Sequence, residues 1–262
     1  MTRPKLSVCV VAMNEAAKIE ACLRSADFAD EWIVVDSHST DRTREIAASF
    51  GARVVERDWP GHVQQKNFAL DQASHDWVLC LDADECVSPE LRASILAALE
   101  RQDPPAGFEC ARRTWYLGRW IRHGGWYPDL KVRLFRRSAG RWTGVNPHDR
   151  VEVAGRVERL AGDLLHRSYD SISDHLRTID SFTTIAAREK HAAGQRAGFS
   201  GLVLHPFGKF LRMYVLRAGI LDGFPGFAVA LSGAYYVFLK YAKLWELANA
   251  PHDDLRNRPH GR

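Results

Sequence analysis

The chain has 262 residues, 46% of them hydrophobic, which is enough to bury one large core or a core with an appendage. Its formal net charge is only +4, and it carries no recognisable nucleic-acid-binding module, so a nucleic-acid partner is not expected. The five cysteines form no CxxC pair and are predicted to be reduced thiols of a cytoplasmic protein. The N-terminus leads directly into a strand pattern without signal-peptide architecture, which favours the same compartment.

Short apolar runs alternate with segments of helical periodicity over the first hundred residues. Asn14 and Ser88 are candidate helix N-caps, Pro89 suits a first helical position, and Gly51 suits a helix end. Because parallel strands require crossover connections, this alternation predicts a doubly wound α/β domain. No GxGxxG or GxxxxGK[ST] motif is present, which argues against dinucleotide oxidoreductases and P-loop NTPases. The strands are predicted at residues 6–12, 32–36, 53–56 and 77–81, and the helices at about 19–26, 44–50, 63–72 and 89–99.

The fourth predicted strand runs into three carboxylates. Its apolar residues are followed by Asp82, Asp84 and Glu85. Ligands bind at the carboxyl ends of strands in open α/β sheets. If the chain stays extended past Leu81, Asp82 and Asp84 leave from the same face and could bind a hard divalent cation together with its phosphates. A solvated acidic turn is the alternative interpretation of so short a motif.

Basic and aromatic residues interleave in the middle of the chain, where the pattern changes to short strands interrupted by Gly and Pro. Residues 111–142 contain nine Lys or Arg against one acid, Asp129, and residues 115–142 contain seven aromatic residues. Rings stack on sugar faces and arginines bind anions, so the segment is a candidate site for sugars and phosphates. A mixed β-sheet with a basic solvated face is the alternative.

The C-terminal third is helical and apolar by pattern. Residues 168–197 carry an apolar stripe at helical spacing, and residues 223–239 contain no charged residue. This uncharged run is at the lower limit for a membrane span, and three glycines and a proline interrupt it. A shallowly inserted hairpin at an anionic membrane surface is therefore favoured over a transmembrane helix. A core helix packed on the α/β domain, or a homo-oligomer contact, remains open.

Four short motifs follow one another at residues 10–15 (VVAMNE), 36–43 (DSHSTDRT), 65–67 (QKN) and 81–85 (LDADE). Further segments of note are 118–120 (GRW), 124–129 (GGWYPD), 133–136 (RLFR), 147–149 (PHD) and 238–247 (FLKYAKLWEL). The four motifs together resemble the family 2 glycosyltransferases of GT-A fold, and the further segments look like the lipopolysaccharide core β-1,4-glucosyltransferase subgroup. The resemblance extends over nearly the whole chain to Leu247. The subgroup tends to have Val-His-Glu where this chain has Pro147-His148-Asp149, which shortens the acid by one methylene.

The resemblance implies a domain organisation. Residues 1–165 would form a GT-A type, Rossmann-like nucleotide-binding domain with a mixed central sheet, with a donor half at 1–103 and an acceptor half at 104–165. Residues 166–247 would form a helical, membrane-associating region. The polar and charged residues 248–262 are expected to be a flexible tail.

The resemblance also implies an activity. It is the inverting, metal-dependent transfer of a hexose, glucose being the first expectation, from a UDP-sugar to a hydroxyl of a lipopolysaccharide-core or lipid-linked glycan. Mg²⁺ or Mn²⁺ would be the cation, and the acceptor an anionic glycolipid. The enzyme would lie peripherally on the cytoplasmic face of the inner membrane, and a homo-oligomer is possible.

Individual residues receive roles by matching the family motifs. Asp84 is the more direct metal ligand, Asp82 lies toward the ribose and the metal, and His148 completes the metal shell or contacts the diphosphate. Lys66 counters phosphate charge. The implied donor-site residues are Asn14, Glu15, Asp36, Ser37, Asp41, Lys66 and Asp82.

An inverting transferase needs one base to accept the proton of the acceptor hydroxyl. Asp129 is the first candidate because it is the sole acid in the basic aromatic segment, where neighbouring arginines would keep it ionised. An Arg-paired turn carboxylate is an equally good interpretation of Asp129. Asp149 and Glu85 are the rival bases.

Three other functions remain open at this point. The same fold could glycosylate a protein side chain. A catalytically silent protein could bind nucleotide sugar or act as a membrane scaffold, although Asp82, Asp84 and Asp129 argue against silence. A sugar nucleotidyltransferase has less support because its Gly-rich phosphate loop is missing.

Overall fold

The computed structural model describes residues 3–145 and 148–249, without the side chains of Val145 and His148. These residues form two compact units. The described residues of unit 1 fall within Met1–Tyr116 and Trp126–Ser168, and those of unit 2 within Leu117–Gly125 and Tyr169–Arg262. The expected tail from residue 250 onward lies outside the described residues.

Unit 1 contains most of the strands and four helices. The strands and helices predicted in the first hundred residues are confirmed to within one or two residues. The strands are β1 (Leu6–Ala12), β2 (Glu31–Asp36), β3 (Arg53–Glu56), β4 (Trp77–Asp82), β5 (Glu85–Val87), β6 (Gly107–Tyr116), β8 (Asp129–Arg136), β9 (Gly140–Val145), β10 (His148–Val153) and β11 (Val157–His166), and the helices are α1 (Ile19–Ser25), α2 (Thr43–Ser49), α3 (His62–Asp71) and α4 (Pro89–Leu99).

The main sheet of unit 1 is mixed, as the GT-A resemblance implied. Its strand order is β3-β2-β1-β4-β8-β6-β11-β5. Its first four strands are parallel, whereas β8 is antiparallel to both β4 and β6. Only Ala83 and Asp84 separate β4 from β5, yet β5 pairs with β11 at the far edge. So short a connection spans only about 10 Å. The far edge of the sheet must therefore curl back toward the end of β4.

Two apolar clusters cover the two faces of the parallel strands. Alternate residues of a strand point to opposite faces, so Val8 and Val10 join one cluster and Cys9 joins the other. The first cluster includes Ile19 of α1, and the second includes Trp142 of β9. All five cysteines are free thiols, and four of them are buried, as predicted. The central parallel strands are therefore buried on both faces.

The predicted helix cap is found at α4 but not at α1. Ser88 caps α4, since its Oγ accepts a hydrogen bond from the Leu91 backbone 3.2 Å away. The prediction that Asn14 caps α1 is wrong. Asn14 lies in the left-handed region at φ 55°, and α1 begins at Ile19. The Asn14 side chain is instead engaged by the loop that follows β2.

In its described part, unit 2 contains one short strand, β7 (Arg119–Trp120), and three α-helices, α5 (Ile172–Ala192), α6 (His205–Leu211) and α7 (Gly223–Asn249). Ser200–Leu204 and Arg212–Leu216 flank α6 with π-helical hydrogen bonding, and Gly219–Asp222 is a 3₁₀ turn before α7. The helix predicted at 168–197 is confirmed as α5, and Ile179 of its apolar stripe is buried. Other members of that stripe, such as Ile172 and Leu176, are exposed.

The apolar helix α7 is continuous over 27 residues, so the prediction that glycine and proline interrupt it is wrong. Pro225 lies in the first turn, where its missing N–H costs no helical hydrogen bond. Gly226 and Gly233 allow close approach of Gly219 and Met213. Within the described residues, one helical segment, Gly219–Asn249, is long and apolar enough by length and composition alone to cross a membrane, with 28% of its most apolar stretch buried.

Candidate active site

The loops that follow β1 and β2 are joined by hydrogen bonds at the carboxyl edge of the sheet. The Asn14 backbone N–H donates to Ser39 Oγ, and Asn14 Oδ1 accepts from the Thr40 backbone, both at 2.8 Å. The Asp36 carboxylate is fully buried and accepts from the backbone and hydroxyl of Ser39. We call the loops after β1 and β2 the rim. Asp36 therefore orders the second of these loops, and Asn14 joins the two loops together.

A second set of contacts extends the same rim. The Glu15 backbone donates to Thr43 Oγ1 at 2.8 Å, and the Ala16 backbone donates to Asp41 at 3.0 Å. The hydroxyl of Thr43 donates to Asp41, which lowers the pKa of that carboxyl. The structure thus brings Asn14, Glu15, Asp36 and Asp41 together at one edge, where the sequence placed the donor.

Ser37 is the first residue of the rim after β2, and it contacts α3. The hydroxyl of Ser37 is buried and accepts a hydrogen bond from Gln65 Nε2 at 3.0 Å. Gln65 Oε1 is buried and has no hydrogen-bond partner among the described residues. A buried acceptor without a partner is unusual in native proteins. Gln65 Oε1 could therefore accept a further hydrogen bond at this part of the rim.

Lys66 of α3 bridges two carboxylates at the end of β4. Its Nζ lies 2.8 Å from Asp82 Oδ1 and 2.8 Å from Asp149 Oδ2 of β10. The ammonium also lies 4.4 Å from the centre of the Trp142 ring, within cation–π range. Burial alone would lower the pKa of Lys66, but Asp82 and Asp149 outweigh it and raise that pKa. The lysine is therefore a fixed positive charge.

Two arginines, the buried Arg133 and the half-buried Arg112, complete the cluster. Arg133 of β8 donates to Asp82 Oδ2 at 3.0 Å and to Glu85 Oε1 at 2.6 Å, and Arg112 of β6 reaches Glu85 at 3.3 Å. Glu85 is fully buried, and its Oε2 also accepts from the Asp82 backbone at 3.0 Å. Glu85 therefore serves to hold the two arginines and the turn, which weakens its claim as a base.

The cluster shifts the pKa values of its members in consistent directions. Burial would raise the pKa of Asp82, but Lys66 and Arg133 hold it far below the ordinary range of an aspartate. Burial would lower the pKa of Arg133, but Glu85 and Asp82 raise it. Asp82, Lys66 and Arg133 are thus all charged at neutral pH.

Asp84 has different partners from Asp82. The chain turns at Ala83 and Asp84, so the prediction of an extended segment with both carboxylates on one face is wrong. Asp84 Oδ2 lies 3.2 Å from Nε2 of His166, at the end of β11. The curl of the sheet explains the separation, because Asp84 lies in the short connection that leads to the far edge. The two acids nonetheless remain two residues apart at the end of β4.

A cavity of about 360 Å³ opens beside the Lys66 cluster. Asp82 and Asp149 are both part of its wall, whereas Asp129 is not among the residues that line it. Asp129 Oδ2 accepts two hydrogen bonds from Arg112, at 3.0 and 2.7 Å, and Lys131 lies 3.2 Å from its other oxygen. The lining consists of Lys66, Asp82, Glu109, Arg112, Leu130, Lys131, Val132, Arg133, Trp142, Asp149, Arg150 and Val151.

The structure describes the side chains of only two of the three expected metal ligands, Asp82 and Asp84. The side chain of His148 lies outside the described residues. Among the side chains that are described, no group of three or more His, Cys, Asp or Glu could hold a metal ion. The Asp84–His166 pair, with Asp82 nearby in sequence, is the arrangement to which phosphate oxygens could be added.

Sequence reasoning gave no role to several residues that the structure places here. Arg112 and Arg133 were counted only as part of a basic segment. Arg133 stands between Val132 and Leu134 in β8, and a charged residue between two apolar strand residues indicates a paired charge. Trp142 was counted only as an aromatic residue. His166 follows the apolar end of β11, as Asp82 follows the apolar end of β4, and this parallel could have identified it.

Known proteins resemble this chain over most of its length. The Glycosyl transferase family 2 profile matches residues 7–154, more than half of the chain. The lipopolysaccharide core biosynthesis glycosyltransferase LpsC of Rhizobium meliloti (strain 1021) is 30% identical over 92% of this chain and 92% of its own length. An uncharacterized glycosyltransferase of Rickettsia bellii (strain RML369-C) is 31% identical over 93% of this chain and 87% of its own length.

One solved structure is similar in fold. The mannosyltransferase PcManGT from Pyrobaculum calidifontis, in complex with GDP-Man and Mn²⁺, has a TM-score of 0.55 and 15% identity over 93% of this chain and 88% of its own. The GT-A architecture expected from the sequence is confirmed, and so is the resemblance to lipopolysaccharide core glycosyltransferases. The protein is a glycosyltransferase, and its chain belongs to Glycosyl transferase family 2.

Proposed function

We propose that this enzyme transfers a hexose from a UDP-sugar to a hydroxyl of a lipopolysaccharide-core or lipid-linked glycan, with inversion at the anomeric carbon. One observation carries the proposal: Lys66 bridges Asp82 and Asp149 at the carboxyl end of β4, beside a cavity whose lining includes five basic residues and Trp142. Strand ends in α/β sheets are where nucleotides bind. The rim built by Asn14, Asp36 and Asp41 would hold the nucleoside next to this cluster.

The residues at the end of β4 fit a divalent cation. Mg²⁺ and Mn²⁺ are bound by one or two carboxylates together with substrate phosphates, so a complete protein cage is not required. Asp84 and His166, only 3.2 Å apart, would hold the cation, with Asp82 as a further carboxylate. His148 stays a candidate from the sequence. When bound, the cation would neutralise charge on the departing diphosphate.

Lys66 and Arg133 supply fixed positive charge on the cavity side of the same strand end. Arg133 is part of the cavity lining, and its buried Nε has no hydrogen-bond partner among the described residues. A phosphate or sugar oxygen would satisfy this donor. We infer that the cavity receives oxygen-rich, partly anionic groups, which suits an acceptor sugar that carries phosphate or carboxylate.

The base is assigned to one of two aspartates. In the transfer, the acceptor oxygen forms a bond to the anomeric carbon, the bond from that carbon to the diphosphate oxygen breaks, and the acceptor proton passes to a carboxylate. Asp149 lines the cavity and has one oxygen on Lys66, whereas both oxygens of Asp129 are engaged by Arg112 and Lys131. This geometry favours Asp149, with Asp129 as the alternative.

A lipid-linked acceptor would place the enzyme on the cytoplasmic face of the inner membrane. The apolar segment Gly219–Asn249 and the exposed apolar residues around it support attachment to a bilayer surface. A protein side chain as acceptor is the second candidate of the same fold. It is distinguished by whether transfer requires a lipid-linked glycan.

The donor is tested with a panel of nucleotide sugars. Thermal shift and sugar-nucleotide hydrolysis should select a UDP-hexose in the presence of Mn²⁺ or Mg²⁺ and lose it in EDTA, because binding to the folded state raises the melting temperature. Lys66→Met should abolish the shift, while the exposed Lys5→Met should retain it. If no nucleotide sugar shifts or is hydrolysed under any metal condition, the proposal is wrong.

A further inference from the structure

The turn between α6 and α7 exposes an unusual amount of apolar surface. We define the tip as residues 211–224, which include the end of α6, the following turns and the start of α7. Leu216 is 80% exposed and Phe224 67% exposed. A patch of this kind on a soluble protein marks an interaction site. Its exposed apolar residues are Leu211, Val215, Leu216, Ile220, Leu221 and Phe224.

The charges of the tip and of the adjoining α6 are mostly positive. Residues 205–224 contain three Lys or Arg, namely Lys209, Arg212 and Arg217, and a single acid, Asp222, which is fully buried. Burial lowers the pKa of the Lys209 ammonium, and the like charges of Arg217 and Arg212 lower it further. An anionic surface would relieve this repulsion. Exposed apolar side chains next to clustered cations are what an anionic bilayer surface binds.

The buried acid ties the tip to a distant stretch of sequence in the same unit. Asp222 Oδ2 accepts hydrogen bonds from the backbones of Arg122 and His123, at 3.0 and 2.8 Å. Its other oxygen lies 3.3 Å from His123 Nδ1 and 3.4 Å from Arg119. The Gly124 backbone donates to the Arg217 carbonyl at 2.8 Å. The backbone N–H groups of three residues in 117–125 thus donate hydrogen bonds to acceptors in the tip.

Close packing reinforces this connection. Gly125 has φ +85°, and a Cβ there would collide with the Arg217 side chain. Gly226 admits the Gly219 carbonyl against α7. Residues 117–125, which we call the clasped loop, therefore form part of the tip's own structure.

We propose that the tip docks on the anionic phospholipid headgroups of a bilayer and that Asp222 fixes the clasped loop to the docked tip. This inference deepens the proposed function and rests on it in one respect. The clasped loop lies within the expected acceptor half, residues 104–165, so it would lie where a lipid-linked sugar leaves the membrane. Val215, Leu216, Ile220, Leu221 and Phe224 enter the boundary between headgroups and acyl chains, and Lys209, Arg212 and Arg217 contact the headgroups.

Docking is tested by co-sedimentation of the full chain with vesicles of phosphatidylethanolamine and phosphatidylglycerol at 3:1, against pure phosphatidylcholine. The wild type should prefer the anionic vesicles by at least tenfold and lose most of that preference in 0.5 M salt. Combined Leu216→Ser, Leu221→Ser and Phe224→Ser should reduce binding at least tenfold. The matched control combines Ile172→Ser, Leu176→Ser and Ile185→Ser, exposed apolar residues of α5, and should change binding less than twofold.

Two results would overturn the docking proposal. One is equal sedimentation of the wild type and the tip variant. The other is a wild-type dimer, seen by analytical ultracentrifugation, that the tip substitutions dissociate without any vesicle binding, because a second copy of the chain would then be what covers the tip.

The role of Asp222 is tested by hydrogen–deuterium exchange. Anionic vesicles should slow exchange of wild-type amides both in the tip and in the clasped loop. Asp222→Asn should still bind vesicles, within threefold, but should lose the slowing in the clasped loop. The wild-type measurement decides even if that variant does not fold: protection confined to the tip would refute the clasp. Neither assay uses donor or acceptor, so its failure is separable from failure of the proposed function.

Discussion

The end of β4 and the tip of unit 2 handle charge in opposite ways. At β4, Lys66, Arg112 and Arg133 are each engaged by carboxylates of the same unit, and Glu85 is fully buried among them. At the tip, cations cluster around exposed apolar side chains, and the single acid is turned inward. A closed charge network suits a preorganised reaction site. An open basic and apolar surface suits a partner outside the chain.

This contrast also separates what substitutions should do. Changes in the β4 network should affect transfer or folding, because removing one member leaves another buried charge without its partner. Changes at the tip should affect attachment and leave donor chemistry intact. The following expectations run from the largest effect to the smallest.

The choice of base gives the largest expected effect. Asp149→Asn should lower kcat for transfer by about 10² to 10⁴, the usual contribution of a general base, while UDP binding changes little. Asp129→Asn should lower kcat much less, because that carboxylate is held by Arg112 and Lys131 outside the cavity lining. Transfer kinetics and UDP calorimetry on both variants separate the two roles. The opposite ranking would return the base to Asp129.

Glu85 should matter more for stability than for proton transfer. Glu85→Gln leaves Arg133 and Arg112 without their shared buried charge, which should cost about 3 to 5 kcal/mol in the free energy of unfolding. Urea unfolding followed by tryptophan fluorescence measures this loss. Glu158→Gln removes an ion pair with Arg101 at the surface and should change stability little. A stable Glu85→Gln protein with lost transfer would instead support catalysis by Glu85.

His175 should make folding stability depend on pH in unit 2. Burial lowers the pKa of this histidine to about 4, against the opposing effect of Asp174, from an ordinary value of 6.5. The unfolded chain therefore binds a proton that the folded chain refuses between those values. Stability is full above about pH 6.5 and falls by about 2 kcal/mol between pH 7 and pH 5.

Replacing the imidazole should flatten that dependence. His175→Phe keeps a ring to stack on Tyr169, whose ring centre lies 4.3 Å away. Its unfolding free energy should vary less between pH 7 and pH 5 than that of the wild type. The exposed His191→Gln serves as the control and should retain the wild-type slope. Equal slopes in all three proteins would exclude His175 as the source.

Much of the fold was predictable because local signals and long-range packing agree. The apolar runs of β1, β2 and β4 are buried on both faces, and Ser88 caps α4 as its sequence suggests. Asn14 misled because a good capping residue is also a good bridging residue. Its side chain binds Thr40, whose position depends on how β1 and β2 pair.

The site was predictable in composition and less so in pairing. Asp82 and Lys66 were identified from motifs, but the curl that brings β5 and β11 near the end of β4 is not encoded in local periodicity. Asp84 with His166 and Arg133 with Glu85 follow from that curl. The continuity of α7 also depends on partners, because its glycines admit Gly219 and Met213.

The most direct test of the donor site at the end of β4 is calorimetric titration of UDP with Mn²⁺ or with EDTA. We expect the wild type and the surface control Asp27→Ala to bind UDP at least tenfold more tightly with Mn²⁺. Asp84→Ala should bind UDP weakly and equally under both conditions. Mn²⁺-dependent UDP binding by Asp84→Ala with wild-type affinity would contradict a metal-and-diphosphate site at this strand end.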